Sequence, residues 1–370
     1  MMHEEKQFSC FLYDQMEDEQ EASNPDNPRN FMDSLSPLIS AMVFREAGSV
    51  LYDDLAEQFG IEYIDRMTLC GVLRRDAQCV YLDTPVFLES DASMLADHFA
   101  SAAGKIADII AACKQPLYEL AGKINNGFPP ERNLYHLLCG WSMDGAMIDR
   151  LVRENIISEG RPHSTGLDYL LIIYEKSPAL DVFSDKLLCS FNRCVQEDCA
   201  LESFGDADGN RHDCYRYFRL KEQEKLTPAF DRIHGAMKNL SAADLMQAAK
   251  ALASGQEADS RAVQALEAFG YVRNGKLCVP VFLPEHDVIF YAIEELLEKA
   301  LLRPIADVFE GLRDLPITPS LHRVPLKETA NECWHILFGS INEALVKKGI
   351  VAAPEAYAGE GSYLRCVVLG

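Results

Sequence analysis

A chain of 370 residues with 48% hydrophobic and 25% charged residues is too long for one ordinary core and too apolar for general disorder, which predicts two or three folded domains. Its formal net charge of −22 repels nucleic acid from the molecule as a whole, although salt screens exposed charges beyond about 8–10 Å and leaves room for a local basic patch. No apolar run approaches the roughly 18–20 residues of a membrane-spanning helix, and the first residues contain no apolar segment of a secretory signal. We therefore expect a cytoplasmic location and no membrane partner.

The first 36 residues are strongly acidic, with nine Asp and Glu residues against two bases. The run Asn24–Pro28 contains two prolines and is expected to break any helix. We therefore predict a flexible acidic arm over 1–36, with a short helix near Phe8–Met16. Two roles remain open for this arm, a solvating tail and a docking segment.

The chain after the arm is predicted to begin with three short helices and an irregular β-wing, because apolar residues recur there at helical spacing. A long helix, a Pro-rich loop, a further helix and a strand rich in β-branched residues follow. In chain order the predicted elements are the helices Leu38–Glu46, Leu51–Phe59 and Tyr63–Gly71, the wing Val72–Phe87, the helices Ser93–Leu120 and Asn133–Glu154, and the strand Leu167–Tyr174.

Residues 177–226 are predicted to be a connecting segment of different character. Its first part, Phe183–Val195, reads as a helix. A β-hairpin is expected to follow, with strands at Leu201–Phe204 and Cys214–Leu220.

Three cysteines of this segment, Cys189, Cys194 and Cys199, lie near His212 and Cys214 in the sequence. Thiolate and imidazole groups are the usual ligands of zinc, but structural sites mostly use pairs separated by about two to four residues. Residues five apart on a helix point roughly 140° away from each other. We therefore expect packing thiols, no metal and no cofactor, in a reducing compartment.

The last third of the chain has clearer start and stop signals. Helices are expected to begin near Thr227, Ser241 and Asp259, since each of these residues is a preferred N-cap. Asn274-Gly275 then predicts a β-hairpin, because both central positions of a tight hairpin turn need positive φ. The remaining predicted elements are the helices Val288–Leu312 and Glu328–Lys348 and the strand Ser362–Leu369.

An internal repeat relates the two halves of the chain. Tyr135–Gly140 reappears as Trp334–Gly339, and Ile106–Ile110 reappears as Ile305–Phe309, both at an offset of 199. Further matches begin at Pro85 and Pro280 and at Tyr169 and Tyr363. Four matches in the same order at nearly the same shift indicate a duplication, with small changes in offset where loops absorb insertions.

Three helices followed by a hairpin are the order of elements in a winged helix. The stretch Ala262–Val272 resembles the end of the recognition helix and the entry to the wing in the bacterial winged-helix DNA-binding superfamily. We predict an α+β fold, mainly helical, of two tandem repeats, each with a winged-helix-like part plus a helical extension and a terminal strand. The predicted parts are the acidic flexible arm 1–36, the first winged-helix-like repeat 37–176, the connecting segment with a β-hairpin 177–226, and the second winged-helix-like repeat 227–370.

The resemblance implies a DNA-binding surface on the second repeat. Residues 219–283 hold nine bases against seven acids, a balance of +2 that is compatible with phosphate binding. Residues 37–90 hold four bases against nine acids, a balance of −5, so the first repeat offers only two candidates. The candidate DNA-binding residues are Arg261 and Gln264 on the third helix, Arg273, Asn274 and Lys276 at the wing tip, and Arg74 and Arg75 in the first repeat.

No phosphate-binding glycine loop, nucleophile elbow or metalloprotease motif occurs in the sequence, so we expect no catalytic residues and no enzyme activity. His136 and His335 recur at equivalent positions and are interpreted as packing histidines. The preferred function is a cytoplasmic transcriptional regulator that binds double-stranded DNA, with the acidic first repeat contacting protein partners or forming a homodimer. The alternative is a protein-interaction scaffold whose modules never touch DNA, which an exposed apolar patch and acid-paired bases would favour.

Overall fold

The computed structural model describes residues 6–14, 24–43, 48–185, 187–206 and 211–370. The fold is α+β, with 55% of the residues helical and 18% in strands, so the predicted class is confirmed. The chain divides into two compact units. Unit 1 comprises Met1–Ala102, Ile148–Phe183 and Leu302–Leu337, and unit 2 comprises Ala103–Met147, Ser184–Leu301 and Phe338–Gly370.

Most helices are amphipathic and turn their apolar residues toward a core. In chain order they are α1 Ser36–Val43, α2 Tyr52–Phe59, α3 Ile61–Leu69, α4 Glu89–Ala112, α5 Lys114–Ala121, α6 Pro130–Leu134, α7 Met147–Arg153, α8 Pro178–Asp185, α9 Cys214–Glu222, α10 Asp231–Ala236, α11 Ala242–Ala253, α12 Ser260–Ala268, α13 Asp287–Glu310, α14 Thr318–Leu321 and α15 Leu326–Lys347. A π-helical stretch, Tyr135–Ala146, lies between α6 and α7. Within the described ranges, no helix combines the length and the apolar character needed to cross a membrane.

The strands are mostly short. In chain order they are β1 Phe8–Asp14, β2 Val50–Leu51, β3 Leu73–Asp76, β4 Cys79–Leu82, β5 Val86–Phe87, β6 Arg161–Pro162, β7 Asp168–Glu175, β8 Ser190–Gln196, β9 Cys199–Gly205, β10 Val272–Arg273, β11 Lys276–Leu277, β12 Val281–Phe282, β13 Glu355–Tyr357 and β14 Gly361–Leu369.

Unit 1 contains a sheet whose central strand is β7. This strand is antiparallel to β1 and β6 and parallel to β5. A second sheet of order β2-β4-β3 accompanies helices α1 to α3. The side chains of Leu38, Ile64 and Met67 are fully buried in the core that these elements share, which is why the three helices pack as one module.

Unit 2 contains a sheet whose central strand is β14. This strand is antiparallel to β9 and β13 and parallel to β12, and β8 pairs with the far edge of β9. Helices α10 to α12 precede the β10–β11 hairpin, and Leu245, Leu266 and Phe269 are fully buried in their shared core.

The two units use the same arrangement of elements. Strands β1, β5, β6 and β7 of unit 1 correspond to β9, β12, β13 and β14 of unit 2, with the same directions of pairing. Origin by duplication stays a prediction. The compact units differ from the predicted repeats 37–176 and 227–370, because each unit draws residues from both.

The acidic arm 1–36 is part of the fold wherever it is described. Phe8–Asp14 is strand β1, paired with β7, so the predicted helix near Phe8–Met16 and the flexible-arm interpretation were wrong for this segment. The strand is fixed at its start by the Phe8 N–H, which donates to the Ser36 hydroxyl at 3.0 Å. Residues 1–5 and 15–23 lie outside the described residues.

Two predictions for the connecting segment 177–226 were also wrong. Its helix, α8, ends at Asp185, and Ser190–Gln196 is strand β8, which pairs with β9 instead of continuing the helix. Cys214–Glu222 is helix α9, because the Asp213 carboxylate caps it by accepting the Arg216 N–H at 2.8 Å. The hairpin of this segment is therefore β8–β9.

Candidate nucleic-acid interface

Helix α12 is the third helix of the module in unit 2, and local signals define both of its ends. The Asp259 carboxylate accepts the N–H groups of Arg261 and Ala262 at 2.8 and 3.2 Å. The Arg261 side chain and these N–H bonds lower the pKa of Asp259, so the cap is charged near neutral pH. Gly270, with a φ of +80°, turns the chain out of the helix toward β10.

The predicted hairpin at Asn274-Gly275 is confirmed. Arg273 lies opposite Lys276, and Asn274 and Gly275 have φ angles of +53° and +72°. Positive φ at both central residues is the geometry of a type I′ turn. The Asn274 N–H donates to the Glu267 carboxylate at 2.9 Å, so the hairpin tip is held against α12.

The candidate residues of this module are all exposed. On α12 the side chains of Ala265 and Leu266 face the core, while the opposite face presents Arg261 and, one turn later, Gln264. The other three candidates, Arg273, Asn274 and Lys276, are exposed on the hairpin. The fold therefore places all five on the surface of one helix–hairpin module.

Two acids lie among these bases. The Arg261 guanidinium is 3.3 Å from the Asp259 carboxylate, with both side chains more than half exposed. Such a pair is weak and screened by salt, so Arg261 can exchange its partner for a phosphate. Glu267 is exposed one turn beyond Gln264 and bonds the hairpin tip. The surface is thus basic only in part.

A further base, Arg232, reaches the same end of α12 as the hairpin. Its guanidinium donates to the Ala268 carbonyl at 2.8 Å. The C-terminal carbonyls of a helix favour a cation, which keeps this exposed base beside the hairpin. Arg232 is one of the nine bases of residues 219–283. Its position beside α12 could not be predicted, because no spacing rule relates it to a helix some thirty residues later.

The corresponding module of unit 1 presents acids where unit 2 presents bases. Helix α2 exposes Asp53, Asp54 and Glu57, and helix α3 exposes Glu62 and Asp65. So many exposed carboxylates on one module repel phosphates, so this surface is unsuited to DNA.

The two candidates of unit 1, Arg74 and Arg75, are engaged within that unit. The Arg74 Nε lies 3.4 Å from the Asp83 carboxylate, and its guanidinium donates to the His322 carbonyl at 3.3 Å. The Arg75 guanidinium stacks over Tyr52, 3.7 Å from the ring centre. Each base would have to leave these partners to meet a phosphate, which makes both weaker candidates than those of unit 2.

A partly buried ionic cluster in unit 1 brings two carboxylates to one arginine. One nitrogen of the Arg161 guanidinium lies 3.2 Å from Asp83 and 3.4 Å from Glu328. Burial raises the pKa of Glu328 to about 7 and raises that of Asp83, against the opposing effect of Arg161. Paired carboxylates of raised pKa suit acid–base catalysis. Here, however, the guanidinium lies between them, and the cluster joins β6 to the first turn of α15.

The two recurring histidines have different surroundings. His136 is completely buried in unit 2, and burial together with the adjacent Arg132 holds its pKa well below the usual range. His335 in unit 1 stacks on Tyr13, with ring centres 5.9 Å apart. The Tyr13 hydroxyl lies 3.5 Å from His335 Nδ1 and donates to the Glu332 carboxylate at 3.2 Å. Packing roles for the two histidines stay a prediction.

The cysteines considered as zinc ligands are free thiols, together with the others in the chain. Burial raises the pKa of Cys199 to about 12 and that of Cys214 well above its usual value. The Cys214 thiol hydrogen-bonds Cys194 and lowers the pKa of that group. In the described part of the chain, no set of three or more His, Cys, Asp and Glu side chains is arranged to hold a metal.

Comparison with known proteins adds no relative to this picture. No family model, curated protein or solved structure matches the chain. Any function of this protein must therefore be inferred from the geometry and charge of its own residues.

Proposed function

We propose that this protein is a cytoplasmic transcriptional regulator that binds double-stranded DNA through α12 and the β10–β11 hairpin of unit 2. The observation that carries the proposal is the exposure of Arg261 and Gln264 on the outer face of a helix that adjoins a hairpin bearing Arg273 and Lys276. An α-helix fits the major groove of B-DNA, where Arg and Gln side chains read base edges. The hairpin bases are then available to the phosphates on either side.

The uneven distribution of charge supports this assignment. The net charge of −22 acts at long range, but screening confines the effect of exposed acids to their own neighbourhood. The acids of the unit 1 module lie on α2 and α3, whereas Arg232, Arg273 and Lys276 lie around the end of α12. DNA binding is accordingly assigned to unit 2 alone, and the affinity should depend steeply on salt.

A protein-interaction scaffold is the second candidate function. It is favoured by the pairing of Arg261 with Asp259 and by the exposed apolar residues Ile61 and Leu69 on α3 of unit 1. The two functions are compatible if unit 2 binds DNA while unit 1 binds a protein.

Binding of a random-sequence duplex, followed by fluorescence anisotropy at low and rising salt, tests the DNA assignment. The double variant Arg273→Glu, Lys276→Glu should bind at least about tenfold more weakly than the wild type, because two phosphate contacts become repulsions. The salt dependence of log K should become shallower by about one to two units.

The matched control is Lys299→Glu, Lys347→Glu, which makes the same change in net charge at two exposed bases of unit 2, on helices α13 and α15. This control should bind DNA nearly as the wild type does. Equal weakening in the two double variants, or no duplex binding by the wild type at low salt, would show that the proposed surface does not bind DNA.

A further inference from the structure

The outer surface of α2 and α3 in unit 1 combines acids with exposed apolar side chains. We call it the acidic–apolar face and define it by Leu51, Glu57, Ile61, Glu62, Asp65 and Leu69. Leu51 immediately precedes α2 and is 50% exposed.

On α3 this face is a row of side chains in which the apolar Ile61 and Leu69 flank Asp65. Ile61, Asp65 and Leu69 are spaced four residues apart, so they lie on one side of the helix. Ile61 is 60% and Leu69 52% exposed, whereas Ile64 and Met67, on the opposite side, are fully buried. The helix therefore has an apolar side toward the core and a second set of apolar residues toward solvent.

The fold does not require apolar residues on the solvent side. At an offset of 199, the residues of α12 that correspond to Ile61 and Leu69 are Ser260 and Ala268. The unit 2 module forms the same helix and hairpin with these small side chains. Large apolar groups kept in water at the equivalent places mark a surface for a partner.

The chemistry of that partner follows from the acids around these apolar side chains. Glu62 and Asp65 lie between Ile61 and Leu69, and Glu57 is exposed on the neighbouring helix. The base in the same stretch, Arg66, is paired with Asp26 at 3.2 Å. The Tyr52 hydroxyl donates to the Asp65 carboxylate at 2.8 Å and orients it. A partner that buries the apolar side chains must therefore place cations opposite these carboxylates, or it leaves them desolvated and unpaired. The net charge of −22 also attracts such a partner at long range.

We propose that the acidic–apolar face binds a cationic amphipathic helix of a partner protein. Apolar side chains of that helix cover Ile61, Leu69 and Leu51, and its Lys or Arg residues pair with Glu62 and Asp65. An apolar centre within a charged rim is the usual anatomy of a protein interface. The same acids exclude nucleic acid, so this face is distinct from the DNA-binding surface assigned to unit 2.

The test uses the full chain and a synthetic helical peptide of about 18 residues, with Leu along one side and Lys and Arg along the other. A peptide of the same composition in scrambled order keeps the charge and loses the apolar side. Titration by fluorescence anisotropy should show that the helical peptide binds at least about tenfold more tightly than the scrambled one. Equal binding of both peptides, or of neither, would overturn the proposal.

The apolar half of the face is tested with Ile61→Ser, Leu69→Ser. This variant should weaken peptide binding about tenfold, because the peptide's apolar side loses its contacts. The matched control is Val288→Ser, Tyr291→Ser, at residues of α13 that are 71% and 62% exposed. The control should leave the affinity unchanged, and a loss as large as that of the first variant would place the peptide elsewhere.

The acidic half is tested with Glu62→Lys, Asp65→Lys against Glu295→Lys, Glu310→Lys, which changes the net charge equally at two exposed acids. The first pair should weaken binding several-fold more than the second and reduce its dependence on salt. Equal effects would show that only the net charge attracts the peptide and would contradict a defined site. Thermal unfolding of each variant checks that these surface changes leave the fold intact.

Discussion

Helices α3 and α12 hold corresponding positions in the two modules, yet their outer faces carry opposite chemistry. Glu62 and Asp65 of α3 correspond to Arg261 and Gln264 of α12, each 199 residues later. All four side chains are exposed, so none of them is needed to bury the helix. The scaffold and the contact surface are therefore separable: one packing arrangement supports both an acidic face and a base-bearing face.

The shared scaffold extends to the glycine that ends each of these helices. Gly71 and Gly270 have φ angles of +67° and +80°. In unit 1 the Arg161 guanidinium donates to the Gly71 carbonyl at 3.0 Å. In unit 2 a Cβ added at Gly270 would lie 3.0 Å from the guanidinium carbon of Arg365. A glycine covered by an arginine is thus common to both modules, although the arginines come from different strands.

The largest expected effect comes from adding a methyl group at these glycines. A Cβ at Gly71 would lie 2.3 Å from His163 Nδ1, and that ring is stacked 3.9 Å from Tyr169, so it has little freedom to move. Gly71→Ala should lower the free energy of unfolding by about 3 kcal/mol, and Gly270→Ala by about 1–2 kcal/mol. Urea unfolding measures both. Equal losses, or a larger loss at Gly270, would mean that Gly71 is not the more tightly packed of the two glycines.

An intermediate effect is expected from the buried Glu328, which ties the start of α15 to Arg161 in unit 1. Burial raises its pKa from 4.5 to about 7, so the folded protein keeps a proton that the unfolded chain has already released. The stability from this group is complete below about pH 4.5 and is lost as the pH rises to about 7. Glu328→Gln has no carboxyl to ionise, so it does not lose this stability. Its free energy of unfolding should rise by about 2 kcal/mol relative to that of the wild type between pH 5 and pH 8.

Urea unfolding across this pH range measures the difference between the two proteins. Glu343→Gln, at a partly exposed position of the same helix, is the matched control. A difference between wild type and Glu328→Gln that is constant from pH 5 to pH 8 would show that the carboxyl does not titrate in this window.

The smallest expected effect is a gain of function in unit 1. The variant Glu62→Arg, Asp65→Gln gives α3 the two side chains that α12 carries at the corresponding positions. It should raise affinity for a random duplex at low salt a few-fold, about 1 kcal/mol or less, because Arg74 and Arg75 stay engaged in unit 1. The control Glu295→Arg, Asp307→Gln changes the net charge equally on α13. If the control gains as much, net charge alone explains the effect.

The parts of the fold that local signals determine could be predicted from the sequence. The Ser241 and Asp244 side chains form the reciprocal cap at the start of α11, and Asp259 caps α12. Asn274-Gly275 sets the hairpin because few other pairs accept positive φ at both positions. These features depend on residues within one turn of each other, so tertiary context did not override them.

Features that depend on distant partners could not be predicted. Strand β1 exists because it pairs with β7, about 160 residues later, although Phe8, Cys10 and Leu12 do alternate as a strand requires. The loss of Arg74 as a free base depends on the His322 carbonyl, which is 248 residues away in the chain. By contrast, the candidate residues of unit 2 could be assigned to one module from the sequence, because the helix and the hairpin that carry them are adjacent in the chain.

The interleaved composition of the units has a consequence for how the protein is made. Unit 1 includes the N-terminal module and also Leu302–Leu337, whose Trp334 side chain is completely buried. A chain emerging from the ribosome presents its N-terminal end first and completes domains as their residues appear. The part of unit 1 that buries Trp334 therefore cannot be completed until Leu337 has been translated. Products that terminate early are expected to expose apolar surface and to be captured by chaperones or degraded.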